Sequence, residues 1–155
     1  MKIVTSTELS KAQKETIVYL WNREYPGRIS ITKEGFDEYL NASALQTHYL
    51  MLDDANEIIG WACTFDREEE RWFSIIINSL YHGIGLGRMM LDHMKENELR
   101  LNGWVIDHDH EIKQNGEPYE SPLAFYVKNG FEVFSDIRFE NEKMSAVKIV
   151  WEKKS

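Results

Sequence analysis

Apolar and polar positions alternate along this chain with two different periods, and the switches between them mark out the elements. "KIVTS" at 2–6 reads as a first strand. Serine and threonine hydroxyls in the following stretch can cap a helix whose Ile17, Leu20 and Trp21 recur at helical spacing. Pro26 and Gly27 break it. Thr32 then caps a second helix over 33–42, with Phe36, Tyr39 and Leu40 on one face. Residues 48–66 read as an antiparallel hairpin turning at "DDAN", and "REEE" at 67–70 makes the next turn. "RWFSIII" at 71–77 is apolar enough to be a strand buried on both faces.

A glycine-rich loop at 82–87 leads into a helix with Met90, Leu91 and Met94 inward, which reads as core. "GWVID" at 103–107 is a further strand and 108–120 a polar loop. Ser121 and Pro122 predict a helix start, with a hydroxyl cap and proline at the first position, and Gly130 ends that helix. "FEVFSDI" and "AVKIVWE" close the chain as two strands. The order βααβββαβαββ predicts an α/β (α+β) fold: a mixed, mostly antiparallel sheet of about seven strands flanked by about four helices. No repeat or linker interrupts it, so residues 1–155 are expected to form one domain.

Charge narrows the choice of partner. The net charge of −8 argues against nucleic acid or an anionic membrane, both of which reward clustered Lys and Arg, and suits a cationic small molecule or peptide better. No apolar run approaches the ~18 residues that cross a bilayer, and only Ile3 and Val4 stand where a signal peptide needs a longer stretch. The expected location is the cytoplasm. Cys63 is the single cysteine, which leaves no internal disulfide and no cysteine cluster for zinc, and it reads as a small core residue.

Two stretches carry candidate chemistry. "YHGIGLGR" at 81–88 follows an apolar strand and opens a helix, where exposed N–H groups and the helix dipole can hold phosphate. A dinucleotide fingerprint beginning at Gly83 would need glycine at 88, where Arg88 stands, and the chain has no Gly-Lys-Ser/Thr for a P-loop. A glycine-rich turn without a ligand is the other reading. "IDHDH" at 106–110 sets two aspartates and two histidines in a row. Adjacent residues rarely converge on one ion, so no metal is expected, which leaves a solvated loop or a role in acceptor binding or deprotonation.

"HGIGLG" has the spacing of the Q/R-x-x-G-x-G/A motif, with His82 in the Gln/Arg place and Gly85 and Gly87 in the fixed places. "FYVKNGF" at 125–131 matches an FYxKxGF segment about forty residues on. On these motifs and the element order the chain resembles the GNAT N-acetyltransferases. The resemblance implies acetyl-CoA as co-substrate, bound where the strand before the loop bulges and splays from its neighbour. Backbone groups of Ile75, Ile76 and Ile77 would meet the pantetheine arm and thioester. His82, Gly83, Ile84, Gly85, Leu86, Gly87 and Arg88 would surround the pyrophosphate. Tyr126 would protonate the departing thiolate.

Ser121 stands near a position where many members hold pantetheine with asparagine. The strand at 71–77 offers no glutamate base, which makes Asp107 the candidate proton acceptor. The N-terminal helices, with Trp21, Tyr25, Phe36 and Tyr39, would cover the acceptor side. The implied activity is acetyl transfer to a primary amine of a small molecule or peptide in a ternary complex, and a homodimer is compatible with it. Use of another acyl-CoA, or CoA sensing without turnover, are the alternatives.

Overall fold

The computed structural model describes residues 1–154. Its elements are β1 (Lys2–Ser6), α1 (Lys11–Glu24), α2 (Lys33–Asn41), β2 (Ala44–Leu52), β3 (Ile58–Arg67), β4 (Glu70–Ile77), α3 (Leu86–Lys95), β5 (Arg100–Val105), α4 (Leu123–Lys128), β6 (Glu132–Glu140) and β7 (Ser145–Glu152). Short 3-10 turns at Gly27–Ile29 and Ser79–Tyr81 follow α1 and β4.

Local signals set the helix starts. Ser10 and Gln13 form a reciprocal capping box at α1, with bonds of 3.1 and 2.8 Å, and Thr32 accepts from the Gly35 N–H at α2. The start of α4 differs from the expectation. Pro122 occupies the cap position itself and the helix begins at Leu123, while the Ser121 hydroxyl donates to the Ile106 carbonyl at 2.6 Å and still accepts from the Leu123 N–H at 3.3 Å.

The seven strands run in the order β1-β2-β3-β4-β5-β7-β6, and every pair is antiparallel except β4–β5. Helices cover both faces. On one, Ile17, Leu20 and Trp21 of α1 and Phe36 and Leu40 of α2 pack on Leu50, Trp61, Trp72 and Ile76. On the other, Met90, Leu91 and Met94 of α3 and Tyr126 of α4 pack on Tyr49, Met51, Phe73, Leu101 and Ile149. This is why the strands between them read as apolar runs. Among the described residues no helix is long and apolar enough to cross a membrane.

One buried polar chain crosses the first core. The Trp61 indole can only donate, and it donates to Nδ1 of His48 at 3.1 Å. Nδ1 is therefore unprotonated, and Nε2 carries the proton toward Gln46 Oε1, 3.1 Å away. Burial, with a smaller push from Lys14, lowers the imidazole from 6.5 to about 4. The unfolded imidazole takes up its proton near 6.5 while the folded one stays neutral, so stability falls as pH drops from about 6.5 toward 4. We expect a loss of about 3 kcal/mol across that window, read from urea midpoints, and a flatter profile in His48→Gln. A flat wild-type profile would refute the assignment.

Candidate active site

In a strand the N–H and C=O of one residue point to the same side, so alternate residues face alternate neighbours. In β4 three bonds fix the parity. The Asn102 amide donates to the Arg71 carbonyl at 2.9 Å, the Tyr25 hydroxyl to the Ile75 carbonyl at 3.4 Å, and His82 Nε2 to the Ile77 carbonyl at 2.8 Å. Arg71, Phe73, Ile75 and Ile77 thus turn their peptide groups toward β5. Ile76 shares its parity with Asn78, whose N–H donates to Ile59 of β3. Of the three isoleucines singled out in the sequence, only Ile75 and Ile77 present backbone to the β5 side, and Ile76 is committed to β3.

β5 does not accept those groups. It meets β4 at one rung, Trp72↔Asn102, and then follows β7 from Arg100↔Glu152 to Val105↔Val147. A fork results, with the peptide edge of Ile75 and Ile77 along one arm. The expected bulge in β4 is not what opens it: β4 and β3 stay in unbroken register from Glu70↔Arg67 to Ile77↔Gly60. Divergence of β5 toward β7 does the same work of freeing backbone donors.

The glycine loop stands at the mouth of the fork. Gly83 and Gly85 have φ of +82° and +85°, and a Cβ on either would meet nothing within 4 Å. Their bareness serves the backbone turn and leaves open space beside it. Gly87 answers a different need, since a Cβ there would stand 3.0 Å from Phe125 of α4. Gly85 caps α3 without a side-chain bond, so the first-turn N–H groups of Leu86, Gly87 and Arg88 point outward unpaired by a cap. Leu86 is buried and offers only its backbone, whereas Ile84 and Arg88 are exposed. This cradle of bare backbone and helix N-terminus fits a pyrophosphate.

Tyr126 lies under the fork, 7% exposed, with its ring edge-on to Phe73, Phe125 and Phe131. Burial, reinforced by Tyr119, holds its phenol well above the usual value of 10. Tyr25 is raised by burial and then by Tyr39, Tyr119 and Tyr126; it packs with Tyr39 in the α1–α2 core, on the opposite face of the sheet from Tyr126. Burial pushes Tyr39 and Tyr119 up to about 12, and the Tyr39 hydroxyl lies 2.6 Å from Ser74 Oγ. All four remain proton donors at neutral pH.

The polar stretch after β5 is tied down on two sides. Asp107 takes both Arg138 Nη atoms at 2.9 Å, and that guanidinium holds its carboxyl below the ordinary 3.8. Arg138 reaches it because the β6–β7 ladder skips between Phe134↔Lys148 and Arg138↔Val147. Further along, buried Glu111 pairs with Arg28 and Lys113 with buried Glu24, and the Gly27 N–H donates to the Ile112 carbonyl at 2.9 Å. His108 and His110 stack on each other. Ser121 bonds Ile106 through its hydroxyl and Asp109 through its N–H, so that hydroxyl proton is already engaged.

The structure therefore brings Ile75, Ile77, the 82–88 loop and Tyr126 around one fork, and gives Asp107 and Ser121 structural partners. Tyr119, Glu24, Arg28, Glu111, Lys113 and Arg138 escaped the sequence reading. Tyr119, a lone aromatic in a polar loop, was the one visible signal among them. Among the described residues no group of three His, Cys, Asp or Glu is placed to hold a metal ion. Two clefts of about 640 and 500 Å³ open around Thr7, Glu8 and Gln46, near the end of β1 and the start of β2, and include none of the fork residues.

A family model described as an acetyltransferase (GNAT) domain matches residues 45–133, more than half of the chain and all of β3, β4, α3, β5 and α4. The chain belongs to the GNAT acetyltransferase family. Solved structures agree with the fold of this GNAT domain. An acetyltransferase of the GNAT family from Staphylococcus aureus Mu50 is 17% identical, with 99% of this chain and 100% of that one covered and a TM-score of 0.66. A GNAT superfamily phosphinothricin acetyltransferase from Sinorhizobium meliloti, in complex with AcCoA, is 11% identical over 98% and 89% of the two chains, with a TM-score of 0.65. The ribosomal-protein-S18-alanine N-acetyltransferase from Escherichia coli is 15% identical over 97% and 94%, with a TM-score of 0.63. At these identities the likeness is one of fold. No curated protein sequence matches this GNAT domain.

Proposed function

We propose that this GNAT domain transfers an acetyl group from acetyl-CoA to a primary amine of a small molecule or peptide, by direct attack in a ternary complex. The observation that carries the reading is the fork itself: a β4 edge at Ile75 and Ile77 that no strand pairs, with the glycine cradle at its mouth and a protonated phenol beneath. The cradle would hold the pyrophosphate. The N–H groups of Ile75 and Ile77 would orient the pantetheine arm and stabilise negative charge on the thioester oxygen. The Tyr126 hydroxyl would give its proton to the departing sulfur and recover one from solvent. Cys63 supports direct attack, because it is 1% exposed and burial pushes its thiol up to about 12, which removes it as an acyl carrier.

The incoming amine must lose a proton. In this reading the Asp107 carboxylate, held by Arg138, orients the loop beside the acceptor, and water carries the proton away. kcat/KM is then expected to rise with pH toward the acceptor's own amine pKa, about 10 for an alkylamine. Asp107→Asn should raise the acceptor KM several-fold without moving that limb. A limb lost in Asp107→Asn would restore Asp107 as the base.

The reading as a whole is tested with acetyl-CoA alone and then with a panel of amines. Acetyl-CoA should raise Tm, since a ligand bound only by the folded chain stabilises it. Free thiol should appear with one or more acceptors. Binding without thiol release would favour a CoA sensor, and no shift in Tm with any acyl-CoA would remove the reading.

A further inference from the structure

The fork has a closed end as well as an open one, and the closed end is built from rings. Immediately beyond the Trp72↔Asn102 rung stand Phe73 on β4 and Gly103 on β5. A Cβ on Gly103 would lie 2.6 Å from Cε1 and 3.0 Å from Cζ of Phe73, so the Phe73 ring lies directly across Gly103 and spans the two strands. Tyr126 and Phe131 pack against that ring at 5.7 and 5.4 Å. On the opposite face Trp72 and Trp104, again one from each strand, stack at 5.2 Å with 25° between planes. The Trp72 indole is fixed by its bond to the Arg67 carbonyl at 3.1 Å. Phe73 is 6% exposed, so its ring is already surrounded by packed neighbours.

An acyl chain entering past the glycine loop, along the Ile77 and Ile75 peptide groups, runs toward this end. We propose that Phe73, seated on Gly103, is the stop that sets acyl length and restricts the donor to short acyl-CoAs, acetyl-CoA before all others. The proposal rests on the acyl-transfer reading above and assigns Phe73 as its specificity-determining residue. Gly103 is the enabling partner, because any side chain there would drive the ring off the β5 backbone. Each added methylene has to enter a cluster packed at interior density, where an extra carbon forces rings and backbone to shift.

The test compares kcat/KM for acetyl-, butyryl- and hexanoyl-CoA with one amine in wild type, Phe73→Leu and Phe73→Ala. Wild type should prefer acetyl- over butyryl-CoA by roughly a hundredfold, within the span that methylenes give in a closed apolar pocket. Phe73→Ala should raise the butyryl-to-acetyl ratio at least ~10-fold, with Phe73→Leu between. An unchanged ratio overturns the assignment.

Losing a core ring can unfold the chain, so a wild-type measurement stands beside the variants: Tm with CoA, acetyl-CoA and hexanoyl-CoA. Hexanoyl-CoA should protect less than acetyl-CoA does. Equal protection by all three overturns the stop at Phe73 while leaving the CoA site intact. No protection by CoA itself instead removes the acyl-transfer reading on which the stop depends.

Discussion

Phenylalanine in place of Tyr126 is expected to lower kcat roughly ten- to a thousandfold while the rise in Tm given by acetyl-CoA is kept. The substitution removes one hydroxyl and leaves the ring among Phe73, Phe125 and Phe131, so packing is nearly unchanged. Both kcat and kcat/KM should fall, because the lost proton donation acts in the transition state and not in binding. The environment adds a second expectation. Burial raises the phenol well above 10, so wild-type kcat should show no loss of this acid as pH approaches 10, where an ordinary tyrosine would begin to ionise. Unchanged turnover in Tyr126→Phe would take the residue out of the chemistry.

The second large effect is expected at Gly85, through a matched pair of variants. Asn and Asp both tolerate positive φ better than other side chains, and the position is open, so Gly85→Asn and Gly85→Asp should fold alike. Either can also cap α3. They differ in charge alone. A carboxylate beside the cradle opposes a pyrophosphate, and at an effective dielectric near 20 a like charge at close range costs a few kcal/mol. The acetyl-CoA KM of Gly85→Asp should therefore exceed that of Gly85→Asn by roughly thirtyfold or more, with the gap narrowing at high salt. Equal KM values would mean that no anion sits at this helix end.

Much of the fold was legible because its causes are local. The capping residues Ser10 and Thr32, the Asp53–Asn56 turn and the apolar spacing of Met90, Leu91 and Met94 each involve neighbours within a few positions. The apolar pattern predicts β5 over 103–107. The strand starts at Arg100, since β7 supplies partners out to Glu152 that no local pattern reveals.

The site divides along the same line. The glycine loop and Tyr126 were visible as motifs. The ties of Asp107 to Arg138, Glu111 to Arg28 and Lys113 to Glu24 join residues 31, 83 and 89 positions apart, and spacing carries no signal at such separations. Asp107 consequently looked free in the sequence and is paired in the fold. The fork is legible only as resemblance, because its cause, a strand that leaves one neighbour for another, is a property of the whole sheet.

The single parallel rung between β4 and β5 also bears on how the chain reaches this state. β1–β2, β2–β3 and β3–β4 form one antiparallel unit and β5–β7–β6 another, each closed by its own pairings. Each unit is laced by antiparallel ladders of several rungs, while the seam between them brings one rung of its own, Trp72↔Asn102, so separation at the seam breaks the fewest strand bonds. The cradle, the β4 edge and Tyr126 come from both sides of that seam. A partly folded chain with both sheets formed would thus still lack the site, and a ligand that bridges the seam would act as a late fastener of the native state.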